Sequence, residues 1–189
     1  PVLTEDESLF IDNGGQMNFL IEGDNLASLK LLEKTHKGKI DLIYIDPPYN
    51  TGNKDFIYGD AYVMSEDSFR HSKYDSFITK RLAIMRKLLS NEGYICISID
   101  DNEQPNMRML CDQIFGEDNF IACMARRTKS SGKTTNHISA NHDYLIIYAK
   151  NIVSVGIVGL PHIDEGFKYE DEYVDVRGKY KLNQTLDYD

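Results

Sequence analysis

The sequence predicts an α/β fold: a sheet of mainly parallel strands with helices on both faces and an antiparallel strand pair at one edge. Three observations carry this. Apolar runs of strand length alternate with stretches of helical period. The run KIDLIYID is apolar on both faces, as expected of a central strand in a covered sheet. The last two apolar runs, FIACMA and YLIIYA, are joined by a loop without a helix signal, so that pair should run antiparallel.

Taken in order, Phe19, Leu20 and Ile21 read as a short strand that ends at Gly23-Asp24. NLASLKLLEKTHKG then places Leu26, Leu29 and Leu32 at helical spacing and closes on Gly38, a glycine stop. KIDLIYID comes next as a strand. Residues 50 to 65 have turn chemistry and aromatics but no period, which predicts a mobile loop. From Glu66 to Ser90 a helical period returns in Phe69, Phe77, Ile78, Leu82, Met85, Leu88 and Leu89; Asn91-Glu92-Gly93 should end it before the strand YICISID. Asp101 or Asn102 can then cap a helix with Pro105 in its first turn and Gly116 as its stop. Residues 1–16 read as an extension, 17–151 as the main domain and 152–189, richer in charge and tyrosine, as the start of a following region.

A chain of 189 residues can bury a sizeable core. No apolar run approaches the roughly 20 residues of a spanning helix, so no membrane role is expected. Cys96, Cys111 and Cys123 are odd in number and widely spaced. That spacing indicates neither a disulfide framework nor a metal site; buried thiols and a cytoplasmic location are expected. The net charge of −9 argues against a surface coated for nonspecific nucleic-acid binding. The segment RRTKSSGKTTNHISANH nevertheless forms one basic loop, with Arg126, Arg127, Lys129 and Lys133. It is a candidate for phosphate contacts, or an ordinary charged surface loop.

In open α/β sheets ligands bind beyond the carboxyl ends of the strands. Acids stand at three such ends: Asp24 in EGDN, Asp46 in DPPY, and Asp100-Asp101 in SIDD. The two prolines, Pro47 and Pro48, fix their own φ angles and bias the residue before each toward extended backbone. Neither has an amide donor. The result is a stiff, acceptor-rich corner in which the Asp46 carboxylate lies next to a peptide carbonyl, an arrangement suited to an NH2 group. Tyr49 adds a ring on which a planar base can stack. A strand terminator with an incidental tyrosine is the plainer reading of the same residues.

IEGDN followed by IDPPYNTG resembles the amino-terminal half of an S-adenosylmethionine-dependent DNA adenine-N6 methyltransferase, of the group in which DPPY precedes the glycine-rich cofactor motif. LIEGDNLASLKLL, IDLIYIDPPYNTG and NHDYLIIYAKN are especially similar to modification subunits of type III restriction systems. The resemblance covers about residues 17 to 151 and implies a Rossmann-like methyltransferase sheet, incomplete in this chain. It assigns Asp46 and the Pro47 carbonyl, on the backbone stiffened by Pro48, to the target amine, and Tyr49 to stacking on a flipped adenine. Asp24, with Asn25, and Asp46 would face the cofactor, S-adenosyl-L-methionine. Double-stranded DNA is the implied substrate, and a restriction subunit and a second copy of the chain are the implied partners.

A P-loop is rejected for SSGKTT, because Arg127 stands where its first glycine would have to be. His137 and His142 have no cysteine partner and read as polar surface residues, so no metal site is expected. Two features depart from the family pattern: ARR comes after FIACMA where an aromatic is common, and no FxGxG occurs, GIVG at 156–159 having the wrong spacing. The expectation is an amino-terminal piece of a longer enzyme. Two rival chemistries remain open: methylation of the cytosine 4-amino group, and Mg-dependent phosphoryl transfer with Asp46, Asp100 and Asp101 as ligands.

Overall fold

The structure, a computed structural model, describes residues 2–11, 14–15, 18–59, 61–128, 140–159 and 168–180. The chain divides into two compact units, residues 1–156 and 157–189.

The first unit is built on a four-stranded sheet. β1 (Ile40–Ile45) lies at one edge, followed by β4 (Leu89–Ile99), β6 (His142–Ala149) and β5 (Phe120–Arg127). β1 pairs parallel with β4, while β6 runs antiparallel to both of its neighbours, as expected for the last pair. The long helices are α1 (Asn25–His36), α2 (Arg70–Leu88) and α3 (Gln104–Phe115). Tyr74, Ile78, Leu82 and Met85 of α2 join Met107, Cys111 and Phe115 of α3 in one cluster over Ile95, Ile97, Ile99, Ile146 and Tyr148 of the sheet, with Leu29 of α1 at its margin. All three helices therefore pack on one face. On the other face, Leu42 and Tyr44 of β1 are about half exposed, so β1 is an edge strand rather than the covered central strand that its double-sided apolarity suggests.

Several local expectations change for the same reason: distant packing outweighs local signal. Phe19 and Leu20 form no strand and are 75% and 97% exposed, since no neighbouring strand supplies hydrogen bonds to them among the described residues. Asn91-Glu92-Gly93 does not stop α2. It lies inside β4, which starts at Leu89, with a register shift opposite Ile40 and Leu42. The period-free stretch 50–65 holds a short hairpin, β2 (Ile57–Tyr58) against β3 (Ala61–Tyr62). Phe56 and Val63 on either side of it are buried. Phe56 meets the rings of Tyr74 and Phe77 edge-on, with centroids 5.5 and 5.0 Å away.

α3 has Pro105 in its first turn, as expected, but its cap is Glu103 rather than Asp101 or Asn102. Cys111 is buried, and burial pushes its thiol up to about 12; Cys96 is partly buried and Cys123 exposed, so buried thiols describe only part of the set. In the second unit a short helix, α4 (Val174–Arg177), lies between Tyr169 and Tyr180, which exchange backbone hydrogen bonds. Among the described residues no helix is long and apolar enough to cross a membrane.

Candidate functional site

β1 and β4 are parallel, so Asp46 and Asp100 leave the sheet at the same edge. Asp46 is exposed, and Pro47, Pro48 and Tyr49 after it are half-buried. These four residues, with Thr51 and Asp55, line a cleft of about 440 Å³. The Tyr49 ring packs partly against the core. Its hydroxyl is pushed up to about 12, first by burial, then by a hydrogen bond to the Asp46 carboxylate and by the charges of Asp46 and Asp143. Tyr49 is therefore a neutral donor over the whole physiological range. The corner thus presents the Asp46 carboxylate to solvent in a cleft that Pro47, Pro48 and Tyr49 share.

Thr51 and Asp55 are cleft residues that sequence reasoning misses. The Thr51 amide donates to Asp55 Oδ2 at 2.8 Å, which folds the NTGNKD turn back beside the cleft. An acid four residues after a threonine in a Gly-Asn turn is the only sequence signal for this.

Asp24 is not part of that cleft. It caps α1, Oδ1 accepting from the Ala27 amide at 2.8 Å. With Asn25 it lines a second cleft, of about 390 Å³, together with Phe77, Lys80 and Arg81 among others. Arg81 Nε donates to Asn25 Oδ1 at 2.7 Å, and its guanidinium lies 3.6 Å from the centre of the Phe77 ring. The cap leaves Oδ2 of Asp24 for another donor, and a cleft of this size is in the range of small-molecule sites. An acceptor in a cleft of this size suits the chemistry of an amine donor.

Asp100 and Asp101 are turned to local work. Asp100 accepts from the backbone and side-chain amides of Asn102 at 2.9 and 2.8 Å, and Asp101 accepts from the Tyr144 hydroxyl at 2.8 Å. Among the described residues, no group of three or more His, Cys, Asp or Glu side chains is placed to hold a metal ion.

Arg126 and Arg127 belong to strand β5 rather than to a loop. Arg126 faces Asp143 across the β5–β6 pair and binds it with two hydrogen bonds, of 2.8 and 2.6 Å. This pair holds the Asp143 carboxyl below its usual range and raises the guanidinium further. Lys129, Lys133 and His137 lie outside the described residues. His142 sits in β6, its ring edge-on to Tyr144.

The site thus belongs to an α/β protein whose first strand runs directly into DPPY at Asp46. Residues 40–188 match the family described as DNA methylase, the N6 and N4 enzymes, and the chain belongs to that family. It is 36% identical to the type III restriction-modification enzyme EcoPI Mod subunit of Escherichia phage P1, over 93% of this chain and 31% of that protein. It is 40% identical to the type II methyltransferase M.KpnI of Klebsiella pneumoniae, over 85% of this chain and 38% of that protein. The chain thus spans about a third of the length of these relatives. Among solved structures, the PvuII DNA methyltransferase (cytosine-N4-specific) aligns over 66% of this chain and 47% of that one, at 14% identity and a TM-score of 0.48.

Proposed function

We propose that this chain carries the base-gripping corner of a DNA adenine-N6 methyltransferase that works within a restriction-modification system, with S-adenosyl-L-methionine as methyl donor. The observation that carries the reading is the exposed Asp46 carboxylate in a cleft that Pro47, Pro48 and Tyr49 also line. Family membership supports it, as do the Mod subunits among the relatives.

The chemical problem is that conjugation with the ring makes an adenine 6-amino nitrogen a poor nucleophile. Asp46 and the Pro47 carbonyl accept its two N–H bonds. The rigid Pro-Pro backbone holds those acceptors where they favour tetrahedral geometry, so the nitrogen lone pair becomes available. Tyr49 stacks on the extruded base. S-adenosylmethionine, when bound, supplies an electrophilic methyl on sulfonium; Asp24 and Asn25 hold its adenine end. Arg126, Arg127, Lys129 and Lys133 contact DNA phosphates. Arg126 contributes least, since its charge is shared with Asp143. A restriction subunit and a second copy of the chain are the proposed partners. Residues 17–151 form the catalytic part and 152–189 lead into the next region.

The test is Asp46→Ala in the full-length protein. Methyl transfer to DNA should fall by about 1,000-fold or more, with Tm kept. Near-normal turnover would refute the assignment. Product analysis for 6-methyladenine against 4-methylcytosine separates the two amines.

A further inference from the structure

Directly after Tyr49, Asn50 is fully buried and adopts φ of +55°, in the left-handed region. Asn enters that region more readily than other non-glycine residues, but a buried one still needs partners to hold it. Its Nδ2 donates to Glu103 Oε1 at 2.5 Å and, more weakly, to the Arg70 carbonyl at 3.4 Å.

Glu103 is itself fully buried, at the start of α3. A carboxylate out of water is stable only when donors surround it, and here they come from separate elements. Besides Asn50, His71 Nδ1 lies 2.7 Å from Oε1, and Asn106 Nδ2 donates to Oε2 at 2.7 Å. A carboxylate oxygen can only accept, so at 2.7 Å His71 Nδ1 donates to it, and Asn106 Nδ2, 3.1 Å from the same nitrogen, directs its proton to Oε2 instead. That leaves Nε2 free to accept from Arg70 Nη2, which lies 3.3 Å away. One buried carboxylate therefore ties the chain leaving the DPPY corner to the first turn of α2 and the first turn of α3. Consecutive Cα atoms are about 3.8 Å apart, so where Asn50 is pegged, Tyr49 is placed.

We infer that Glu103, acting through Asn50 and held by His71 and Asn106, is the positioning residue that sets the DPPY corner for methyl transfer. This rests on the methyltransferase reading of that corner. Glu103 touches no reacting atom; it fixes the angle at which Asp46 and Tyr49 meet the base.

The experiment uses the full-length enzyme with saturating S-adenosylmethionine and duplex DNA carrying the recognition site. Asn50→Asp sets a second carboxylate against Glu103. It should lower kcat by about 100-fold, the scale on which small misplacements act, with KM for DNA within about threefold. Combining it with Glu103→Gln restores the hydrogen bond with donor and acceptor exchanged, His71 taking its other tautomer so that Nδ1 accepts from the same Gln amide, and should bring kcat back to within about tenfold of wild type. Unchanged kcat in Asn50→Asp, or a double variant no faster than the single one, would overturn the inference. If Asn50→Asp fails to fold, His71→Ala decides, because that side chain is 49% exposed: a kcat loss of about tenfold supports the hub, and wild-type kcat removes it. Asp46→Ala is measured alongside. A dead Asp46→Ala with normal Asn50 and Glu103 variants sinks the positioning role alone, whereas an active Asp46→Ala sinks the underlying reading.

Discussion

Asp46 and Asp24 occupy similar sequence settings, an acid followed by turn chemistry, and the molecule builds the two corners in opposite ways. After Asp46 the chain goes inward: Asn50 and Gly52 are buried, and Phe56 is wedged between Tyr74 and Phe77. After Asp24 it stays outside. None of the 12 residues of α1 is fully buried, and the Phe19-Leu20 stretch before it is exposed. A group that must aim two acceptors at one nitrogen needs its backbone fixed from several directions. A group that on the proposed reading accepts only one bond from a cofactor's edge can rest on a helix cap and an Arg81–Asn25 contact. Stiffness is thus set by the burial of the residues after each acid, not by the acid.

The largest expected effect breaks the stiff corner. Gly52 has φ of +80°, and a Cβ there would lie 2.6 Å from the Ser65 amide nitrogen and 2.7 Å from its Cα. Both are backbone atoms that cannot step aside. Gly52→Ala should cost about 2–3 kcal/mol, the left-handed penalty plus overpacking, and reduce methyl transfer as the turn shifts. Gly38, which ends α1, has φ of +69° but nothing within 4 Å of its would-be Cβ. Gly38→Ala should cost only the conformational term, about 1 kcal/mol. Denaturant midpoints of the two variants measure the contrast, and equal losses would mean the corners are equally stiff.

Next in size is Asp24. Asp24→Ala removes the cap from α1 and should cost about 1 kcal/mol of stability. Asp24→Asn keeps the cap, because asparagine serves there as well as aspartate, but replaces the carboxylate that the cofactor would meet. If Asp24 holds S-adenosylmethionine, calorimetric Kd should rise in both variants while only Asp24→Ala loses stability. Wild-type Kd in both would leave Asp24 with the cap alone.

The same contrast explains which features are legible in the sequence. Helices 25–36, 70–88 and 104–115 follow from the period of Leu26, Leu29 and Leu32, of Ile78, Leu82 and Met85, and of Met107, Cys111 and Phe115. The acceptor-rich nature of 46–48 follows from proline chemistry alone. The features that local sequence hides depend on distant partners. Phe19-Leu20-Ile21 has strand composition, but a strand is a pairing. Phe56 and Val63 look like loop residues until α2 covers them. Glu103 stands in SIDDNEQPN, where capping logic favours the acids and amide before it; its burial is set by Asn50, 53 residues away. Arg126 reads as a DNA contact because its partner Asp143 is 17 residues on, beyond the basic loop. The one clue within reach is the antiparallel pairing of FIACMARR with HDYLIIYA, which puts an acid opposite a base.

That pair gives the smallest effect and places the β5–β6 end between the two corners, fixed by one ion pair rather than by burial or a cap. The Asp143 carboxyl is depressed mainly by its hydrogen bond from Arg126. A depressed carboxylate stabilises the fold at pH values above its unfolded pKa, about 3.9. That stabilisation disappears as pH falls through the lower folded value. Asp143→Asn should therefore lower Tm by a few degrees at pH 7, and the gap from wild type should close as the pH falls below the unfolded carboxylate value and through the lower folded one. Arg126 is half exposed, so added salt should shrink the gap at neutral pH as well. A gap that is constant with pH and salt would mean that Asp143 acts by packing rather than by charge, and the strand ends would then belong with the buried corner at Asn50.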